Sequence, residues 1–194
     1  MTNLVLGLKP AVDETMSNQP EIFFDLETQR LAEEVGGWGN KHRMGLACAV
    51  TLEGLTQEFQ NYLEADVERL LATLQRAGRV IGFNLKNFDY AVLQPYAKVK
   101  LSRLPTLDML EDIQRTLGFR LSLDALASAT LGAEKLADGV QAVRWYKAGE
   151  LEKLLEYCRK DVALTQQLYS FGKQHGHLYY WDRDRRKKSI AVPW

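Results

Sequence analysis

Two carboxylates interrupt an apolar run, Glu21-Ile22-Phe23-Phe24-Asp25-Leu26-Glu27-Thr28, and that conflict constrains the chain more than any other feature. Apart from its acids the run reads as a buried strand. Side chains two apart on a strand share a face, so Asp25 and Glu27 project together while Leu26 points away. Two adjacent ionised carboxylates repel each other, and burial worsens the repulsion. A hard divalent cation resolves it, because carboxylate oxygens are what Mg²⁺ and Mn²⁺ prefer. Taken alone, an Asp-x-Glu pair is a common coincidence, so the rest of the chain has to decide its meaning.

Around that strand the hydrophobic pattern alternates between sheet and helix. Met44–Leu52 and Gln57–Tyr62 read as two further strands joined by a turn at Glu53-Gly54, which implies antiparallel pairing. Val67, Leu70, Leu71 and Leu74 recur at helical spacing, with Gly78 as the expected C-cap. Arg79–Phe83 reads as a short buried strand leading into a helix through Leu93, and Thr106–Met109 as a last core strand. Helices are expected over Leu110–Thr116, from an N-cap at Ser122 to Leu131, and from Ala148 to Phe171. The long helix carries Leu151, Leu154, Leu155, Cys158 and Val162 as its apolar stripe. The order βββ-α-β-α-β-α predicts an α/β fold whose sheet is partly antiparallel and partly parallel.

Two more acids and a tyrosine stand at chosen places in this frame. Tyr157 and Asp161 are four apart on the long helix and share a face, on the shoulder of its apolar stripe. A half-buried tyrosine beside a solvated aspartate is the ordinary reading of such a pair in isolation. Asp89 follows the Arg79–Phe83 strand at the start of the next helix, where an acid is also favoured by the helix dipole. The glycine-rich segment Gly36-Gly37-Trp38-Gly39-Asn40 begins soon after the Asp25 strand. Trp38 is there to stack on a terminal base or to pack. His42, His175 and His177 show no ligand spacing with the carboxylates.

Bulk properties narrow the class. A chain of 194 residues, 46% apolar and 26% charged, is the size and composition of one globular α/β domain. It contains no run of ~18 apolar residues, which argues against a membrane span. Met1 to Val12 lacks a basic lead, so no signal peptide is expected. Cys48 and Cys158 have no metal-ligand spacing and read as small buried hydrophobes of a reducing compartment, the cytoplasm. With 25 basic and 25 acidic residues, the chain does not grip long nucleic acid by bulk charge. Two basic segments remain, around Lys98, Lys100 and Arg103 and from Arg183 to Lys188. Each is a solvated surface or a phosphate track. We expect a lead-in over 1–20, a domain over 21–176, and a C-terminal extension over 177–194 that forms a hairpin on the same domain.

Taken together, Phe24-Asp25-Leu26-Glu27-Thr28, Asn84-Leu85-Lys86-Asn87-Phe88-Asp89 and Tyr157-Cys158-Arg159-Lys160-Asp161 resemble the three exonuclease motifs of the DEDD superfamily, tyrosine subclass. These are 3′–5′ exonucleases on the ribonuclease H-like fold. The resemblance covers residues 21 to 171. It extends to Gly82-Phe83-Asn84, Leu107-Asp108, Ser122-Leu123-Asp124-Ala125-Leu126-Ala127 and Asp161-Val162. More narrowly, the chain is similar to bacterial exonucleases of the ribonuclease H-like type, some linked to helicases. The histidine subclass would have its histidine where Glu156 stands. The second motif departs from the pattern by one extra residue between Asn84 and Phe88.

The resemblance implies a mixed five-stranded sheet flanked by helices. It implies that Asp25, Glu27, Asp89, Tyr157 and Asp161 are catalytic, the four acids holding two divalent cations, Mg²⁺ or Mn²⁺. Asp25, Glu27 and Asp161 would hold the first cation and Asp25 and Asp89 the second. Tyr157 would orient the attacking water. An ordinary tyrosine pKa near 10 makes it a poor base at neutral pH. Thr28, Asn84 and Phe88 are the substrate-binding candidates within the motifs, and Trp38 is the candidate in the glycine-rich loop. Single-stranded DNA or RNA is the implied substrate, with nucleoside 5′-monophosphates as products and a helicase or polymerase as the implied partner. The other readings are an endonuclease of the same fold and a non-catalytic binding module descended from a nuclease.

Overall fold

The computed structural model describes residues 19–133 and 138–194. Of the expected lead-in over 1–20, all but Gln19 and Pro20 lies outside the described residues. The chain builds a five-stranded sheet in the order β3-β2-β1-β4-β5. β1 (Glu21–Thr28), β2 (Leu46–Glu53) and β3 (Phe59–Leu63) form an antiparallel meander, while β4 (Arg79–Gly82) and β5 (Thr106–Asp108) run parallel to β1. This is the mixed sheet with flanking helices that the pattern predicted.

β1 is central and has helices on both faces, which is why it reads as nearly continuous apolar sequence. Ile22, Phe24 and Leu26 join one core with Leu70, Leu71 and Leu74 of α1 (Val67–Arg76) and with Val92 and Leu93 of α2 (Asp89–Leu93). Phe23 joins the other core, where its ring meets Tyr169 edge-on at 5.4 Å. That second core is built by α3 (Met109–Leu117), α4 (Leu123–Leu131), α5 (Gly139–Lys147) and α6 (Leu151–His175). The strand period of two therefore directs Asp25 and Glu27 to the α6 side.

Several boundaries differ from the expected ones for identifiable reasons. Gly78 caps nothing, since the helix is closed by Ala77 in extended conformation. Instead a Cβ on Gly78 would sit 2.7 Å from the Gln19 carbonyl oxygen, so glycine is required by close approach. Met109 opens α3 rather than ending β5, because the Asp108 carboxylate accepts the Leu110 N–H at 3.2 Å as an N-cap. Ser122 caps α4 as expected. The long helix starts at Leu151 and runs on to His175, where Gly176 ends it at φ 70°. Leu154, Cys158 and Val162 are buried and the stripe continues through Thr165 and Leu168, while Leu151 and Leu155 are only partly covered.

α5 was not foreseen, although Asp138 provides a helix start by accepting the Gln141 N–H at 3.0 Å. After α6, β6 (His177–Trp181) and β7 (Lys187–Ala191) pair as an antiparallel hairpin. Leu178 and Ile190 lie opposite each other on its buried face. Thr130 Oγ1 accepts from the Tyr179 N–H at 2.9 Å, which ties the hairpin to the end of α4. The Trp194 ring covers Gly172 of α6 so closely that a Cβ there would lie 2.4 Å from the indole nitrogen.

Candidate active site

Three elements deliver the acids. β1 supplies Asp25 and Glu27, α6 supplies Asp161, and each of the three offers one carboxylate oxygen within 4.8 Å of the others. Asp89 arrives from the loop after β4 as the first residue of α2, and it is buried. Its Oδ1 atom has no hydrogen-bond partner among the described residues. All four acids line one cleft of about 380 Å³, with Thr28, Phe83, Phe88 and Trp38 along it.

The electrostatics of this cluster are adverse to the bare protein. Burial pushes the Asp25 carboxyl well above the usual carboxylate range, and the charges of Asp89, Asp161 and Glu27 push it further. Glu27 is raised first by burial, then by its neighbours Cys48, Asp161 and Asp89. Asp89 is raised chiefly by burial, against backbone N–H groups of Asp89 and Leu26 that hold it down. Asp161 rises to about 7, mainly through burial. Four acids that resist ionisation together, one with an orphaned buried oxygen, are a donor set suited to a hard divalent cation. The residues thus fit a metal centre, with Asp25, Glu27 and Asp161 as its compact part.

Tyr157 stands one turn before Asp161 and lines the same cleft, and Trp145 of α5 packs against the tyrosine ring at 5.9 Å. Burial and the surrounding acids hold the Tyr157 hydroxyl far above the ordinary tyrosine range, so it is a proton donor and not a base. It opens into a second cleft of about 590 Å³ that shares Asp138, Gly139 and Asp161 with the first.

The remaining candidates divide. Thr28 is buried in the cleft and its hydroxyl donates to the Arg30 carbonyl at 3.0 Å. Phe88 and Trp38 meet at 6.2 Å on the cleft edge, with Trp38 66% exposed. Asn84 is not brought to the carboxylates. It sits at φ 70° in a neighbouring cleft, where its Oδ1 accepts from Arg120 at 3.0 Å. The extra residue of this motif is thus absorbed by a left-handed turn that carries Asn84 away.

Two residues named in the sequence reading take positioning roles that it did not assign to them. Asp108 accepts the N–H groups of Asn84 at 2.8 Å and Lys86 at 3.0 Å besides capping α3, so one buried carboxylate clamps the loop that leads to Asp89. Cys158 donates its thiol toward Asp25 Oδ2 at 3.6 Å. An acid ending a short strand was the available signal for Asp108. For Cys158 the signal was its place between Tyr157 and Asp161 on the buried stripe.

The description RNase_H superfamily, under the family name RNase_H_2, matches residues 22–171. The chain belongs to the RNase H superfamily. Among curated proteins none matches it. This RNase H superfamily domain carries an acidic cluster able to hold a metal, at the position where its central strand meets its longest helix. Among the described residues no helix is long and apolar enough to cross a membrane.

Proposed function

We propose that the domain is a two-metal 3′–5′ exonuclease of the DEDD tyrosine subclass, removing nucleoside 5′-monophosphates from the 3′ end of single-stranded DNA or RNA. The observation that carries this reading is the placing of Tyr157 one helical turn before Asp161, in a cleft that the two share at the edge of the Asp25–Glu27–Asp161 cluster. A superfamily that implies a nucleic-acid substrate supports it further.

Asp25, Glu27 and Asp161 would hold one Mg²⁺ or Mn²⁺, and Asp25 with Asp89 a second. When bound, such a pair lowers the pKa of water and neutralises charge on both oxygens of an in-line phosphoryl displacement. The chain's own residues do the remaining work. Tyr157, held protonated one helical turn from Asp161, would turn its O–H toward the attacking water and orient it. Thr28 and Phe88 wall the cleft, and Trp38 offers an exposed ring on which the terminal base stacks. Placing an aromatic platform beside the acids favours a strand end over a paired duplex, whose bases already stack on one another.

Time-resolved cleavage of 5′-labelled single-stranded DNA and RNA with Mg²⁺ or Mn²⁺ tests the reading, beside EDTA and Asp25→Asn controls. A ladder that shortens from the 3′ end, absent in both controls, is expected. Internal fragments from the first time point would point to an endonuclease. Intact strands with retained metal binding would leave a non-catalytic module.

A further inference from the structure

We infer that a strand whose 3′ end occupies the carboxylate cleft runs onward over the Asn84–Arg120 cleft to the C-terminal hairpin, which holds its 5′ portion by base stacking and phosphate contacts. The inference rests on the nuclease reading for the polarity of the strand, and on the following surface for its course.

A continuous set of contacts joins the two ends. Trp38 touches Phe88 on the edge of the catalytic cleft. From the same segment Lys41 donates to Asn87 Oδ1 at 3.1 Å, and Asn87 in turn donates to Asn84 Oδ1 at 3.4 Å. Arg120 donates to that same Asn84 oxygen. Arg120 also stands between two clefts, lining one of about 640 Å³ with Asn84 and Asn87 and one of about 710 Å³ with Phe119, Trp181 and Arg183.

The second cleft has the two chemistries that a single strand requires. Phe119 and Trp181 are 48% and 49% exposed, and Phe119 meets Tyr180 edge-on at 6.1 Å. Phe119, against Tyr180, and Trp181, with Lys187 Nζ 5.9 Å from its ring centre, each leave ring surface in water for an unpaired base. The charge is complementary too. Glu111 is paired with Lys86, and Asp182 and Asp184 are both paired with Arg186. Asp108, the remaining acid of these clefts, accepts the Asn84, Lys86 and Leu110 N–H groups, while Arg120, Arg183 and Arg185 enter no ion pair among the described residues. Arg185 is held at φ 57° in a turn closed by the Asp182 carboxylate, so the guanidinium groups are carried on a shaped loop and not on a free tail. A duplex would leave the rings unused, because its bases stack on each other. A single strand uses both.

The test measures binding of labelled oligothymidylate and oligouridylate of about 20 nucleotides, against trinucleotides, with Ca²⁺ in place of Mg²⁺. Full-length wild type is compared with Trp181→Ala/Arg183→Gln/Arg185→Gln, and thermal midpoints verify that the variant folds. The long strand is expected to bind wild type at least tenfold more tightly than the trinucleotide, and the variant to lose most of that difference. The salt slope of long-strand binding should fall by about 1.4 if two phosphate contacts are removed. Comparing thymidylate with uridylate ranks DNA against RNA. Long-strand affinity and salt slope equal to wild type in a folded variant would overturn the inference, as would no length dependence in wild type. In parallel, wild type with Mn²⁺ is given the p-nitrophenyl ester of thymidine 5′-monophosphate. Failure there counts against the nuclease reading alone, since strand binding is read without any cleavage.

Discussion

Tyr157 and Asp161 stand one turn apart on α6 and line the same cleft, where burial first, and then the charges of Asp161, Glu27 and Asp25, keep the tyrosine protonated beside the cluster. Removing the hydroxyl while keeping the ring separates orientation from ligation. Tyr157→Phe should lower kcat by ~10²–10⁴-fold, the range of a lost proton-handling group, with metal affinity nearly unchanged. Asp25→Asn should lose both. Turnover of Tyr157→Phe equal to wild type would remove the tyrosine from the mechanism.

Asp108 stands outside the cluster, yet its carboxylate accepts the Asn84 and Lys86 N–H groups and so holds the loop that delivers Asp89. In Asp108→Asn one backbone N–H loses its acceptor, at a cost of ~1–3 kcal/mol in stability for a buried group. Because Asp89 is displaced and the Asp25–Glu27–Asp161 trio is not, metal titration should retain a first binding event and weaken a second. Unaltered metal binding with a full loss of stability would make Asp108 a purely structural residue.

The cluster also ties stability to pH. Asp161 is raised from 3.8 to about 7 in the folded chain. Between those values the metal-free folded state holds a proton that the unfolded state has released. The contribution of this group is therefore fully present below about pH 4 and lost as pH rises through about 7. Asp25, Glu27 and Asp89 are raised as well and act in the same direction. In EDTA, the thermal midpoint should fall from about pH 5 to pH 8, and Mn²⁺ should restore more at the higher pH because binding then displaces fewer protons. A midpoint that climbs across that range would contradict the assignment.

At the end of β4, Gly82 allows the strand to approach β1. A Cβ there would sit 2.7 Å from the Phe24 carbonyl oxygen and 2.6 Å from Leu85. Leu85 can shift but the β1 backbone cannot without moving Asp25. Gly82→Ala should destabilise the protein by ~1–3 kcal/mol through overpacking and reduce activity beyond what that loss explains. Circular dichroism melts and turnover, measured on the same preparation, would show whether the two effects separate.

The mixed sheet and the meeting of Asp25 and Glu27 with Asp161 were legible because β1 alternates strictly between two cores, and because an acid pair in such a strand contradicts its surroundings. What was illegible depended on partners distant in sequence. Gly78 looks like a helix stop until the Gln19 backbone is seen against it. Asn84 looks like a cleft residue because its motif does, but the left-handed turn that redirects it is fixed by Asp108, 24 residues away. α5 went unread although its Asp138 cap was present, since no strand or catalytic motif marked it.

Cys158 lies fully buried behind Asp25, and Cys48 is equally sealed on the neighbouring strand. Neither thiol can meet a water-soluble labelling reagent unless α6 lifts from the sheet. The rate at which such a reagent titrates them is therefore a gauge of how often the carboxylate-bearing face comes apart in the native protein. That rate should slow when a divalent cation clamps β1 to α6, so that the protein's own sulfur atoms report metal occupancy without any substrate.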